Sequence, residues 1–225
     1  MKQTIINDTR RAKKLTILLF LALLPSMAHA QCPDENHPHM IDLGLPGGVK
    51  WACCNVGANK PEEFGGYFAA GETEEKETYT EGTYKLKGRR DIYNYVKNTY
   101  GDRDYNKSSL LPEYDVAHVK WGDNWSMPTL LQFKVLWNRT THKQTTVNGV
   151  KGWLFTGFNG NSIFFPAGGF HGNRGFECVE IMCYYWTAST WGGDDQHIFF
   201  KYSSDGYNFS KYGQYKGYNV RPVSK

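Results

Sequence analysis

Every glycine of this 225-residue chain, 24 in all, stands at or beyond Gly44, interleaved with most of its 7 Trp, 15 Tyr and 13 Phe. Glycine weakens helix interiors and supplies the positive φ that tight turns need. Aromatic side chains suit the pleated, half-buried surface of a sheet. Past the first thirty residues there is no long apolar run. This distribution predicts short strands joined by many tight turns and argues against a helix bundle.

The first thirty residues read as a separate device. Lys2, Arg10, Arg11, Lys13 and Lys14 face one acid, Asp8, and an apolar run from Leu15 to Leu24 follows. Ala28-His29-Ala30 is a small-x-small cleavage site, so residues 1–30 are read as a signal peptide and the mature chain as starting at Gln31. The apolar run is about half the roughly 20 residues a spanning helix needs. Cys32 raises lipidation, but a lipoprotein signal wants a small residue directly before its cysteine, and Gln31 stands there. The expectation is an exported protein without a membrane span, in the periplasm, on the outer surface or secreted. The whole chain's net charge of +4 belongs to the leader, so 31–225 is balanced and lacks the basic excess of a nucleic-acid binder. These residues are expected to form one domain.

Five cysteines follow the leader: Cys32, Cys53, Cys54, Cys178 and Cys183. An odd count leaves at least one unpaired within the chain. Cys53 and Cys54 are neighbours whose side chains diverge on a strand. Cys178 and Cys183 are near enough in sequence to close a short disulfide loop. No paired C-x-x-C spacing points to zinc.

Along the chain, Ile41 to Val56 reads as two strands around Pro46-Gly47-Gly48. Residues 72–106 read as a polar surface excursion with a helical turn at Asp91 to Asn98. Met127-Pro128-Thr129 opens a helix over 129–138, with Pro128 in its first turn and Leu130, Leu131, Phe133, Leu136 and Trp137 at helical spacing. Trp153 to Thr156 and Ser162 to Phe165 form a hairpin around Asn159-Gly160, and a glycine-rich loop runs from Gly168 to Gly175. Tyr184 to Ser189, His197 to Tyr202, Tyr207 to Lys211 and Tyr218 to Val223 are further strands. The sum is an α+β fold, with short helices early and a twisted antiparallel sheet with long loops late.

No nucleophile elbow, phosphate loop, H-E-x-x-H or EF-hand loop is present. The densest functional signal is 184–219, where Tyr and Trp alternate with Ser, Asn, Asp and Gly. Tyr and Trp give contact area at low entropy cost, and the small polar residues adapt their hydrogen bonds. Trp186 is assigned to the core. A ligand-binding face is assigned to Tyr184, Trp191, Asp194, Asp195, Tyr207, Asn208, Tyr212 and Tyr215. Asp194-Asp195 is the one place that suits a hard cation such as calcium, and no other cofactor is indicated.

Spaced blocks of the chain resemble the Fibrobacter succinogenes major paralogous domain. They are Ile41-Asp42-Leu43-Gly44-Leu45-Pro46-Gly47-Gly48, Lys50-Trp51-Ala52, Cys54-Asn55-Val56-Gly57-Ala58, Tyr67-Phe68-Ala69 and Gly71-Glu72-Thr73. Further on come Trp121-Gly122, Asn124-Trp125, Met127-Pro128-Thr129, Asn159-Gly160-Asn161-Ser162-Ile163-Phe164, Tyr185-Trp186-Thr187 and Val220-Arg221-Pro222-Val223. Ala70 replaces the family's usual Trp and Ser126 its usual Arg. If that Arg were a buried donor, its partner here would need another. The resemblance implies a C-type-lectin-like fold in an exported domain, and a binding surface toward the C-terminus. The sugar-binding motifs of calcium-dependent lectins are absent.

Together these readings describe a non-catalytic module binding a glycan or a protein at the cell surface or in the periplasm, with adhesion as a role. The alternatives are a structural subunit of a surface assembly, or a copper oxidase of the formylglycine-generating type. The latter would use Cys178 and Cys183, five positions apart, as a thiolate pair for Cu(I).

Overall fold

The structure, a computed structural model, describes residues 38–97, 99–101, 109–191, 196–204 and 206–224. The leader, its cleavage site and Cys32 lie outside the described residues.

Fifteen α-helical and β-strand elements follow one another among these residues. Strands β1 (Met40–Asp42) and β2 (Lys50–Ala52) pair antiparallel around the expected Pro46-Gly47-Gly48 turn. β3 (Tyr93–Asn94) and β4 (Ser109–Leu110) form a short antiparallel pair. This corrects the helical turn expected at Asp91 to Asn98. Tyr93 is buried and Asn94 exposed, a period of two, and Leu111 N–H donates to Ile92 O at 2.8 Å.

Helix α1 (Val116–Trp121) was not foreseen. Its N-cap, Asp115, accepts from the Ala117 and His118 N–H groups, while its other oxygen accepts from Met127 N–H at 2.8 Å. Helix α2 (Leu130–Arg139) lies within one residue of its expected bounds. Thr129 is the N-cap in a reciprocal capping box with Gln132. Pro128 therefore precedes the cap rather than occupying the first turn. Its carbonyl accepts from Ala188 N–H, and the hydroxyl of Ser189 accepts from Leu130 N–H.

β5 (Thr141–Val147), β6 (Val150–Thr156) and β7 (Ser162–Pro166) form a meander. Asn148 and Gly149, with φ of 47° and 87°, make the two-residue turn between Val147 and Val150. β5 was missed because Thr-His-Lys-Gln-Thr-Thr-Val has no apolar alternation to read. The expected glycine-rich loop contains a small hairpin, β8 (Phe170–Gly172) and β9 (Gly175–Glu177).

The late sheet comprises β10 (Cys183–Trp191), β11 (Gln196–Ser203) and β12 (Gly206–Ser210), all antiparallel. Tyr218 to Val223 is extended but is not one strand. Tyr218 exchanges both backbone bonds with Phe68, Asn219 bonds Tyr184 and Trp186 in β10, and Val220 O accepts from Val56 N–H. The segment then enters β13 (Val223–Ser224), which pairs with β2. It acts as a seam, with early and late parts of the chain bonded along its two sides.

Two cores flank the late sheet. Tyr184, Trp186, Ala188 and Phe199 face one, with Phe68, Trp125 and Tyr218. Cys183, Tyr185, Phe200 and Tyr202 face the other, with Trp51, Phe133, Phe155 and Phe165. Trp186 lies in the core as expected, and its indole N–H donates to Phe68 O at 2.7 Å. The parity of β10 and β11 sends alternate residues to the two sides.

Half-buried His142 on β5 stacks on Trp137 of α2, their ring centroids 3.7 Å apart. Burial pulls its pKa below the ordinary 6.5, partly offset by a backbone bond to Thr140. The unfolded chain therefore takes up a proton first as pH falls. Stability should be full above about pH 6.5 and decline below it, down to the lowered folded value. His142→Gln is expected to flatten that part of a urea-midpoint-versus-pH curve. An unchanged slope would remove His142 from the account.

Candidate functional site

Across the late sheet, the register aligns Tyr184 of β10, Lys201 of β11 and Asn208 of β12 in one row. Two residues further along, Trp186, Phe199 and Ser210 form the next row on the same face. Beyond β12 the chain returns through Lys211 to Lys216 and lays a turn against this face. Lys216 N–H donates to Gly213 O at 2.8 Å, and Gln214 O accepts from Ala70 N–H at 2.9 Å. Gly213 has φ 76°, a left-handed conformation that favours glycine.

Between this turn and the sheet runs a groove of about 390 Å³, whose lining includes Tyr184, Asn208, Tyr212 and Tyr215. Lys201 and Lys216 also line it. On the other side of the turn, Tyr212 and Tyr215 also border a smaller recess of about 220 Å³ with Tyr84 and Lys87. Tyr212 is 72% exposed and stands between the two recesses.

Four of the eight residues assigned from sequence thus meet at one groove. Tyr184 contributes less than expected. It is 8% exposed, stacks on Tyr218 at 5.2 Å, and gives its hydroxyl to Met182 Sδ, so it is a wall of the groove rather than a projecting contact. Burial, with the charges of Cys178 and Glu177, pushes its hydroxyl up to about 12. It remains a protonated donor at neutral pH.

Tyr207 must be reassigned. It pairs with Tyr202 and shares that residue's face, opposite to its neighbour Asn208. There its ring centroid lies 4.5 Å from that of Trp137 and 5.7 Å from that of Phe209, with 39% of the residue exposed. Tyr207 and Asn208 cannot both touch a ligand held on one face of the sheet. Trp191 ends β10, beyond a register shift between Trp186 and Thr190 that breaks the simple alternation. Its side chain, Asp194 and Asp195, and with them the calcium reading, lie outside the described residues.

The Cys178–Cys183 disulfide is not formed. Both are free thiols, and they serve different cores: Cys178 packs beside the Trp186 cluster, and Cys183 is buried in the Trp51 cluster. Burial pushes the Cys183 thiol far above its ordinary range, with Arg221 opposing only in part, which keeps it protonated.

Lys201, Lys216, Phe170 and Ser210 were missed. Their placement follows from register and from the return of the 211–216 turn, neither of which leaves a local sequence signal. The groove offers aromatic faces, an amide, hydroxyls and ammonium donors.

Comparison with known protein families, characterised proteins and solved structures returned no match to this chain. No helix among the described residues is long and apolar enough to cross a membrane.

Proposed function

We propose that this protein is an exported, non-catalytic ligand-binding module of the Fibrobacter succinogenes major paralogous domain type, with a C-type-lectin-like fold. The family reading is supported by how its separate sequence blocks meet. Arg221, from the last block, bonds Ala52 and Asn55 in the second and third blocks, Cys53 between them, and Phe164 in a later block. Ser126, where the family usually has Arg, is exposed.

The observation that carries the function is the gathering of Tyr184, Asn208, Tyr212 and Tyr215 around one groove. Its volume lies in the range of small-ligand sites, with aromatic walls and few polar groups to set orientation. The ligand is a glycan or a short protein segment held there.

The test is binding of the purified protein to a panel of glycans and surface peptides. Tyr212→Ala and Asn208→Ala should each weaken binding about tenfold or more, the equivalent of about 1.4 kcal/mol. Tyr207→Ala, on the opposite face, should leave it unchanged. Loss on Tyr207→Ala with none on Tyr212→Ala would move the site across the sheet. No binding to any probe, together with self-association at micromolar concentration, would replace the module by a structural subunit.

A further inference from the structure

Two ammonium groups line the groove with no acid among the described residues to answer them. Lys201 stands in the middle of the Tyr184–Lys201–Asn208 row, its Nζ 5.9 Å from the Tyr184 ring centroid. Lys216 ends the overlying turn, its Nζ 4.2 Å from the Phe170 ring centroid. Neither has a hydrogen bond or ion pair among the described residues, and no Asp or Glu lines the groove. Glu177, whose charge reaches the Tyr184 hydroxyl, is not part of the lining.

A ring face attracts an ammonium but accepts none of its N–H groups in the ordinary sense, so each lysine keeps donors to offer. Three lysines elsewhere on the molecule are paired with acids. Lys76 pairs with Glu72 at 2.6 Å, Lys120 with Glu74 at 2.7 Å and Lys87 with Glu81 at 3.3 Å. Lys201 and Lys216 instead line the groove where Tyr184, Asn208, Tyr212 and Tyr215 meet.

Building on the proposed binding role, we infer that the groove takes an anionic saccharide, a sugar ring bearing a carboxylate or a sulfate. Lys201 and Lys216 bind the anionic group, Tyr212 and Tyr215 pack on the ring, and Asn208 bonds a hydroxyl. A saccharide fits better than a folded protein surface. A stable interface with a folded protein takes about 20–30 residues on each partner, about twice or more the eleven that line this groove.

The experiment uses three pairs of probes that differ only in charge: oligogalacturonate and its methyl ester, 3′-sialyllactose and lactose, and a sulfated galactan oligosaccharide and its desulfated form. Titration calorimetry should show the acidic member of at least one pair binding tenfold or more tightly than its neutral partner. That preference should shrink as salt rises from about 0.05 M to about 0.5 M, because the lysines are solvent-accessible. The pair that responds tells carboxylate from sulfate. Lys201→Ala and Lys216→Ala should each remove most of the preference, while Lys201→Arg retains it, with near-UV circular dichroism confirming the fold of each variant. Equal or tighter binding of the neutral members overturns the anionic preference and leaves the module intact. Silence from all six probes overturns the saccharide inference. The binding role itself falls only if the wider glycan and peptide panel is silent too.

Discussion

Arg221→Met should lower the free energy of unfolding by about 3–5 kcal/mol, the cost of leaving buried polar partners unanswered. Arg221 is fully buried without a carboxylate beside it. Its guanidinium instead donates to Asn55 Oδ1 at 2.8 Å, to the carbonyls of Ala52 and Cys53 at 3.2 Å each, and to Phe164 O at 2.8 Å. It also lies over the Phe165 ring, 4.7 Å from the centroid. A planar fork with five donors reaches these acceptors in several directions at once. A lysine ammonium, a point with three donors, cannot do so, and Arg221→Lys should recover little. Because β2, the 52–56 segment and β7 all meet at this side chain, the loss should appear as a cooperative fall in the urea midpoint. A change below about 1 kcal/mol for Arg221→Met would show that the acceptors find water or each other, and would refute the account.

Trp186→Ala should cost about 3–5 kcal/mol, from lost burial and the cavity left behind. The indole is 1% exposed and packs on Tyr218 and Phe199, with ring centroids 4.4 and 5.8 Å away. Its N–H bond to Phe68 O is the smaller part, because that carbonyl also accepts from Tyr218 N–H at 3.0 Å. Trp186→Phe, which keeps a ring and loses the donor, should therefore cost clearly less than the alanine variant. Equal losses for the two would put the hydrogen bond, not packing, in control. Single domains have about 5–15 kcal/mol in total, so either large variant would unfold a substantial fraction of a marginal fold.

Trp186→Ala should also disturb the groove, because Tyr218 and Phe199 contribute to its lining. Binding losses from core variants therefore need to be separated from those of Tyr212→Ala, whose side chain is mostly in solvent. The opposite-face variant, Tyr207→Ala, supplies the comparison on the same strand as Asn208.

Local chemistry was enough to read several features of this chain. The 41–56 hairpin carries its own Pro-Gly-Gly turn, the 153–165 hairpin its Asn-Gly, and α2 its apolar spacing after Thr129. The identity of Trp186 as core also followed from the apolar strand in which it sits. Of the contact residues assigned between 184 and 219, four share a groove.

What sequence alone could not supply was which side of the sheet each residue faces. Side chains alternate with a period of two, so a one-residue change in register exchanges every side chain between faces. That is why Tyr207 and Asn208, adjacent and alike in their suitability for binding, lie on opposite sides. Cys178 and Cys183 are close in sequence but pack against different cores, because Cys178 lies in the bend between β9 and β10 rather than on a strand. Lys201 and Lys216 became groove residues only through long-range pairing and the returning turn. Composition and turn chemistry act over a few residues, and they determined the strand-and-turn character of this protein. The tertiary structure decided which side chains share the groove face, because register is a property of two strands meeting and belongs to neither alone.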